Sequence, residues 1–146
     1  MTPDKGTRGK IVVGIDGSDA SLDALNWGAR QADLTASTLE VVMTWQWPNS
    51  FGWGVPVPDD LNPEDEVRKT LDSALDTVRA RYPDLHLDPL VVNGHPAPTL
   101  VEESKGADLL VVGSRGHGQF VGMLLGSVSE FCTTNAHCPV LVHRPS

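Results

Sequence analysis

Short, nearly continuous apolar runs alternate along this chain with longer stretches in which apolar residues return every three or four positions. "KIVVGID" (Lys10–Asp16) is of the first kind, a β-branched run ending in Gly and Asp, the pattern of a strand buried on both faces that opens into a loop. Ser18 or Asp19 can then cap a helix whose Leu22, Leu25, Ala29 and Ala32 share one face through about Leu34. "TLEVVMTW" (Thr38–Trp45) predicts a second strand, and the following "QWPNSFGWGVPVPDDLN" holds too many Pro, Gly and Asn residues for regular structure, so it is expected to be the longest loop.

At Asn62-Pro63 the signals turn helical: an Asn cap, Pro at the first position, and Glu64, Asp65 and Glu66 at the positive end of the helix dipole. Val67, Leu71, Ala74, Leu75, Val78 and Tyr82 mark the apolar stripe, and Pro83 stops it. "LHLDPLVV" (Leu85–Val92) predicts a third strand, in which Pro89 removes a ladder donor and points to an edge or a bulge. A short helix in "GHPAPTLVEESKG", a fourth strand "ADLLVVGS", a last helix from Ser127 to about Ala136 and a last strand "CPVLVHR" (Cys138–Arg144) complete the order.

Strands that alternate with helices in this way imply a parallel, doubly wound α/β sheet with helices on both faces. Such sheets bind ligands beyond the carboxyl ends of their strands, where the strand order reverses. Two strand ends carry unusual chemistry, Gly14–Ser18 and Gly113–Gly118.

Composition narrows the possibilities. A length of 146 residues suits one ordinary domain, so 1–146 are expected to form a single unit with 1–9 as a flexible lead-in. No run approaches the roughly 18 apolar residues of a membrane helix. The opening "MTPDKGTRGK" lacks the apolar core of a secretory signal, and two cysteines, Cys132 and Cys138, are too few for a disulfide scaffold. A reducing cytoplasm and free thiols are the expectation. A formal net charge of −8 disfavours nucleic acid and anionic membranes as partners. It also means that any anion site must be built from backbone amides and a few local cations.

"VVGSRGHGQFVGMLLGS" (Val111–Ser127) meets that demand with five glycines and no lysine. Glycine turns the chain and brings bare backbone close to a ligand, and unpaired amides at a helix N-terminus favour an anion. A loop that leaves the fourth strand and returns at Gly126-Ser127 can enclose a phosphate chain between its ends; Ser127 and Ser129 add hydroxyls, Arg115 and His117 counter-charge. The pattern is not a Walker A loop, since GxxxxGK[ST] is absent. Nor is it the dinucleotide fingerprint, which belongs after the first strand, or a nucleophile elbow, which would need glycine at Val112.

Gly113, two residues, Gly116, nine residues and Gly126-Ser127 resemble the ATP-binding motif G-2x-G-9x-G-[S/T] of the universal stress protein family. "IVVGIDGSDAS" is similar to that family's opening strand and loop, and "CPVLVHR" to its closing strand. The resemblance implies a Rossmann-like five-stranded parallel sheet of order 3-2-1-4-5. It implies ATP, with Mg²⁺ as an optional companion: Gly14, Ile15 and Asp16 toward the ribose and adenine side, and backbone near Thr44 at the adenine. The triphosphate would lie against Gly113, Arg115, Gly116, His117, Gly118, Gly126, Ser127 and Val128, with Ser129 alongside. A homodimer through the last strand (Val140, Leu141, Val142) is also implied.

The leading function is a nucleotide-dependent sensor or regulator in stress response, with its protein partner unknown. Two alternatives stand beside it: a slow ATPase or phosphotransferase, in which Asp16 or His117 would serve as base, and a dimeric module that binds no nucleotide. No catalytic residue and no protein metal site is assigned. The acids Asp59, Asp60, Glu64, Asp65 and Glu66 suit a helix start, and His86, His95, His137 and His143 lack zinc spacing. Trp45, Trp47 and Trp53 crowd the long loop, as a cover for the pocket, a partner surface or a local anchor.

Overall fold

The structure, a computed structural model, describes residues 9–47, 62–114 and 125–145. Most of the lead-in, most of the long loop with Trp53, Asp59 and Asp60, and the middle of the glycine-rich stretch lie outside the described residues. The elements follow in the order β1 (Lys10–Gly14), α1 (Asp19–Thr35), β2 (Thr38–Trp45), α2 (Pro63–Arg81), β3 (Leu87–Asn93), α3 (Pro96–Glu103), β4 (Leu109–Gly113), α4 (Ser127–Asn135) and β5 (Val140–His143). All five strands are parallel and lie in the order β3-β2-β1-β4-β5, as expected from the sequence.

Side chains of successive strand residues point to opposite faces, so each strand feeds two cores. Ile11, Val13, Leu39, Val41 and Val111 pack against α1 and α2. Val12, Val42, Leu110 and Val112 pack with Leu100 of α3 and Cys132 of α4 on the other face. Val12, Val13, Val41 and Val111 are all solvent-free, and each such side chain stabilises the fold by about 1.5–3 kcal/mol.

Local chemistry sets the element ends. Ser18, rather than Asp19, caps α1: its Oγ accepts from Ser21 N at 3.2 Å, leaving Asp19 in the first turn to meet the dipole. Asn62 caps α2 by accepting from Asp65 N at 3.2 Å, and the helix ends at Arg81, ahead of Pro83. β3 starts later than its apolar run suggests, because Leu85 N donates into a turn at Tyr82 O. Its register with β2 runs unbroken from Leu87 to Asn93 through Pro89, so the proline sits on an edge strand without a bulge. β5 begins at Val140, two residues beyond Cys138.

Both cysteines carry free thiols. Burial raises the Cys132 thiol to about 11, which keeps it protonated and unreactive. No helix among the described residues is long and apolar enough to cross a membrane.

Candidate functional site

Strand order reverses between β1 and β4, and the two glycines that end these strands, Gly14 and Gly113, open onto one cleft of about 280 Å³. Its size is near the lower bound for small-molecule sites. The β1 end enters it through a tight turn. Ile15 N still donates to Val42 O at 2.9 Å, after which Asp16 N donates to Ser21 Oγ at 3.2 Å and Ser18 N donates to Asp16 Oδ1 at 2.9 Å. Gly17 has φ +85°, which side-chain-bearing residues rarely adopt. The turn thus aims the exposed Asp16 carboxylate from a fixed base.

The β4 end is a closed neck. Gly126 N donates to Ser114 O at 2.6 Å, so the chain returns to the point from which the glycine-rich stretch departs. Ser129 Oγ lies 3.2 Å from Ser114 O and 3.0 Å from Gly126 O, donating to the same junction, and Ser114 N donates to His143 O at 2.9 Å. The Ser129 hydroxyl proton, expected to face a ligand, is therefore directed to main chain instead.

α4 begins immediately beyond this neck, with Gly126 as an N-cap that offers no side chain. The first helical bond is Glu130 N to Gly126 O at 2.9 Å, so the N–H groups of Ser127, Val128 and Ser129 have no hydrogen-bond partner among the described residues. α1 differs, since Ser18 Oγ accepts from one of its first amides, that of Ser21. Among the described residues the α4 start therefore supplies unpaired amides and the positive end of the dipole, the combination that holds an anion without a lysine.

Nine of the thirteen residues expected at the site line this cleft: Gly14, Ile15, Asp16, Thr44, Gly113, Gly126, Ser127, Val128 and Ser129. Arg115, Gly116, His117 and Gly118 lie outside the described residues. Five lining residues were not anticipated, namely Ser21, Val42, Pro96, Leu100 and Val112. Leu100 takes space that only glycine at 14 leaves open: a β-carbon on Gly14 would lie 2.5 Å from Leu100 Cδ1. Together these residues give the cleft an apolar wall and an amide-lined end, a pairing that suits a flat base joined to phosphate.

Asp16 is the sole carboxylate among the described lining residues. Of the acids at the α2 start, Glu64 pairs with Arg68 at 2.9 Å and Glu66 with Lys69 at 3.8 Å. Trp45 and Trp47 meet edge to face with ring centroids 6.0 Å apart, and neither lines the cleft.

Residues 7–144 match the universal stress protein family. A universal stress protein of Mycobacterium tuberculosis is 40% identical in an alignment of 140 residues that covers 90% of this chain and 46% of that one. The chain thus spans about half the length of the curated relatives it matches. A solved universal stress protein in complex with cAMP is similar with a TM-score of 0.67 at 28% identity, covering 92% of this chain and 94% of its own. Another, from Lactobacillus plantarum, shares the fold with a TM-score of 0.70 at 22% identity, covering 94% and 99%.

Proposed function

The chain belongs to the universal stress protein family, and from that premise we propose that its cleft binds an adenine nucleotide, ATP above all, as a nucleotide-dependent regulator in stress response. The observation that carries this reading is the hydrogen bond from Gly126 N to Ser114 O, which brings both ends of the glycine-rich stretch to the unpaired amides of α4. A relative 28% identical, solved with cAMP, supports an adenine nucleotide as the class of ligand.

In this reading the base lies against Val42, Thr44 and Leu100, Asp16 accepts from ribose hydroxyls, and the phosphates meet the amides of Ser127 and Val128. The phosphate contacts expected of Arg115, Gly116, His117 and Gly118 lie outside the described residues. Mg²⁺ would travel with the phosphates, since the described lining offers a single carboxylate, that of Asp16. ATP would favour one arrangement of the Gly113–Ser127 stretch and so shift a population that a protein partner in the cytoplasm recognises. This stretch of chain acts as one domain and pairs with a second copy through Val140, Leu141 and Val142 of β5, whose half-buried edge lacks the proline and acid that blunt β3.

Mass spectrometry of small molecules released by denaturing freshly purified protein, followed by calorimetry with ATP, AMP, cAMP and adenosine, tests the reading. The expected result is a released adenine nucleotide and binding that strengthens with phosphate charge. Adenosine binding as tightly as ATP would remove the anion cradle, and no binding of any of the four would remove the nucleotide.

A further inference from the structure

Glu40 is the one charged residue that is buried among the described residues, at 6% exposure. It lies in β2 at the end of the sheet opposite the cleft, in register with Val12 of β1 and Asp88 of β3. Neighbours in register share a face, here the face that α3 covers. Lys10 Nζ of β1 approaches Glu40 Oε2 at 3.5 Å, whereas Oε1 is buried without a hydrogen-bond partner. Glu103, the last residue of α3, faces it with a second carboxyl group.

A buried acceptor with no donor is costly, and two neighbouring carboxylates cannot both ionise cheaply. One proton held at this pair answers both problems. Burial and then the Glu103 charge raise Glu40 from its ordinary 4.5 to about 7; Lys10 opposes the rise and Asp88 adds to it.

α3 is the element placed to respond. It spans eight residues, touches β1 and β2, and carries Leu100 one turn before Glu103, so the two lie on the same helical face. Leu100 and Pro96 form the cleft wall, while Ser104, accepting from His137 N at 2.9 Å, ties down the chain just after the helix.

We propose that Glu40 and Glu103 form a proton-operated seat for α3: the shared proton holds the helix on β2, and its loss loosens the helix together with the Leu100 wall of the cleft. The effect on α3 stands independently, whereas its effect on ligand affinity rests on the nucleotide reading above.

Hydrogen exchange of the α3 amides, corrected for intrinsic rates, is followed from about pH 5.5 to about 8.5 in the wild type, Glu40→Gln and Glu103→Gln. The wild type is expected to lose protection about fivefold across the range, a change in keeping with ordinary coupling energies, and Glu40→Gln to lose none. Glu103→Gln, at a half-buried position, moves the transition to lower pH and carries the test should Glu40→Gln fail to fold. Protection of α3 that is independent of pH in the wild type, or equally pH-dependent in both variants, overturns the seat. Calorimetry with AMP separates the two readings: affinity that falls with the loss of protection supports both. A pH response of α3 without AMP binding at any pH supports the seat and removes only the nucleotide.

Discussion

Leu100 occupies the space above Gly14 that any side chain at that position would need, with its Cδ1 2.5 Å and its Cδ2 2.9 Å from where a β-carbon would stand. Gly14→Ala must displace the buried Leu100 side chain. The expected cost is about 1–3 kcal/mol in urea denaturation, with weaker nucleotide binding by calorimetry. Unchanged stability and affinity would mean that Leu100 has room to spare.

Ser129 secures the neck of the glycine-rich stretch from below, its Oγ donating toward Ser114 O and Gly126 O. Ser129→Ala removes this donor from a buried site, for an expected loss of about 1 kcal/mol. Nucleotide affinity should fall too, since the α4 amides would be less well fixed. A variant that loses stability but binds ATP as before would separate the neck from the site.

Gly17 holds φ +85° between Asp16 and the cap residue Ser18. Gly17→Ala forces an L residue into the left-handed region at a cost of about 1–2 kcal/mol, and its β-carbon would also stand 3.2 Å from Thr70 Cγ2. Thermal unfolding reads the loss, and calorimetry reads any displacement of the Asp16 carboxylate.

Glu40 gives stability a definite pH dependence. An acid whose folded pKa exceeds its unfolded value binds its proton more tightly when folded, so its contribution is complete below the ordinary 4.5, declines as pH rises toward about 7, and levels off above. The slope from this one group is at most about 1.4 kcal/mol per pH unit. Glu40→Gln should flatten that part of the profile in urea titrations made at successive pH values. An unaltered profile would assign the dependence to other groups.

The sheet was legible in the sequence because periodicity and capping agree. The run Ile11–Val13 has the β-branched pattern of a strand buried on both sides, and Asn62-Pro63 followed by three acids has the pattern of a helix start. Element ends were less legible, because they depend on single hydrogen bonds such as Leu85 N to Tyr82 O, which composition does not encode.

The cleft's glycines and serines stood out as chemistry, whereas Leu100, Pro96, Val42 and Val112 read as ordinary core. Only the crossing of α3 over the end of β1 makes Leu100 and Pro96 a wall. Glu40 did leave a signal, a lone acid inside the apolar run "TLEVVMTW", but its meaning depends on Glu103, sixty-three positions away. The direction of the Ser129 hydroxyl likewise follows from tertiary contact with Ser114.

Ser114 accepts from Gly126 through its carbonyl and donates to His143 through its amide. Two peptide contacts in series therefore lie between the mouth of the cleft and the outermost strand of the sheet. A displacement of Ser114 at the mouth has a path to β5 through main-chain contacts alone, and whatever coupling that path carries runs equally in both directions.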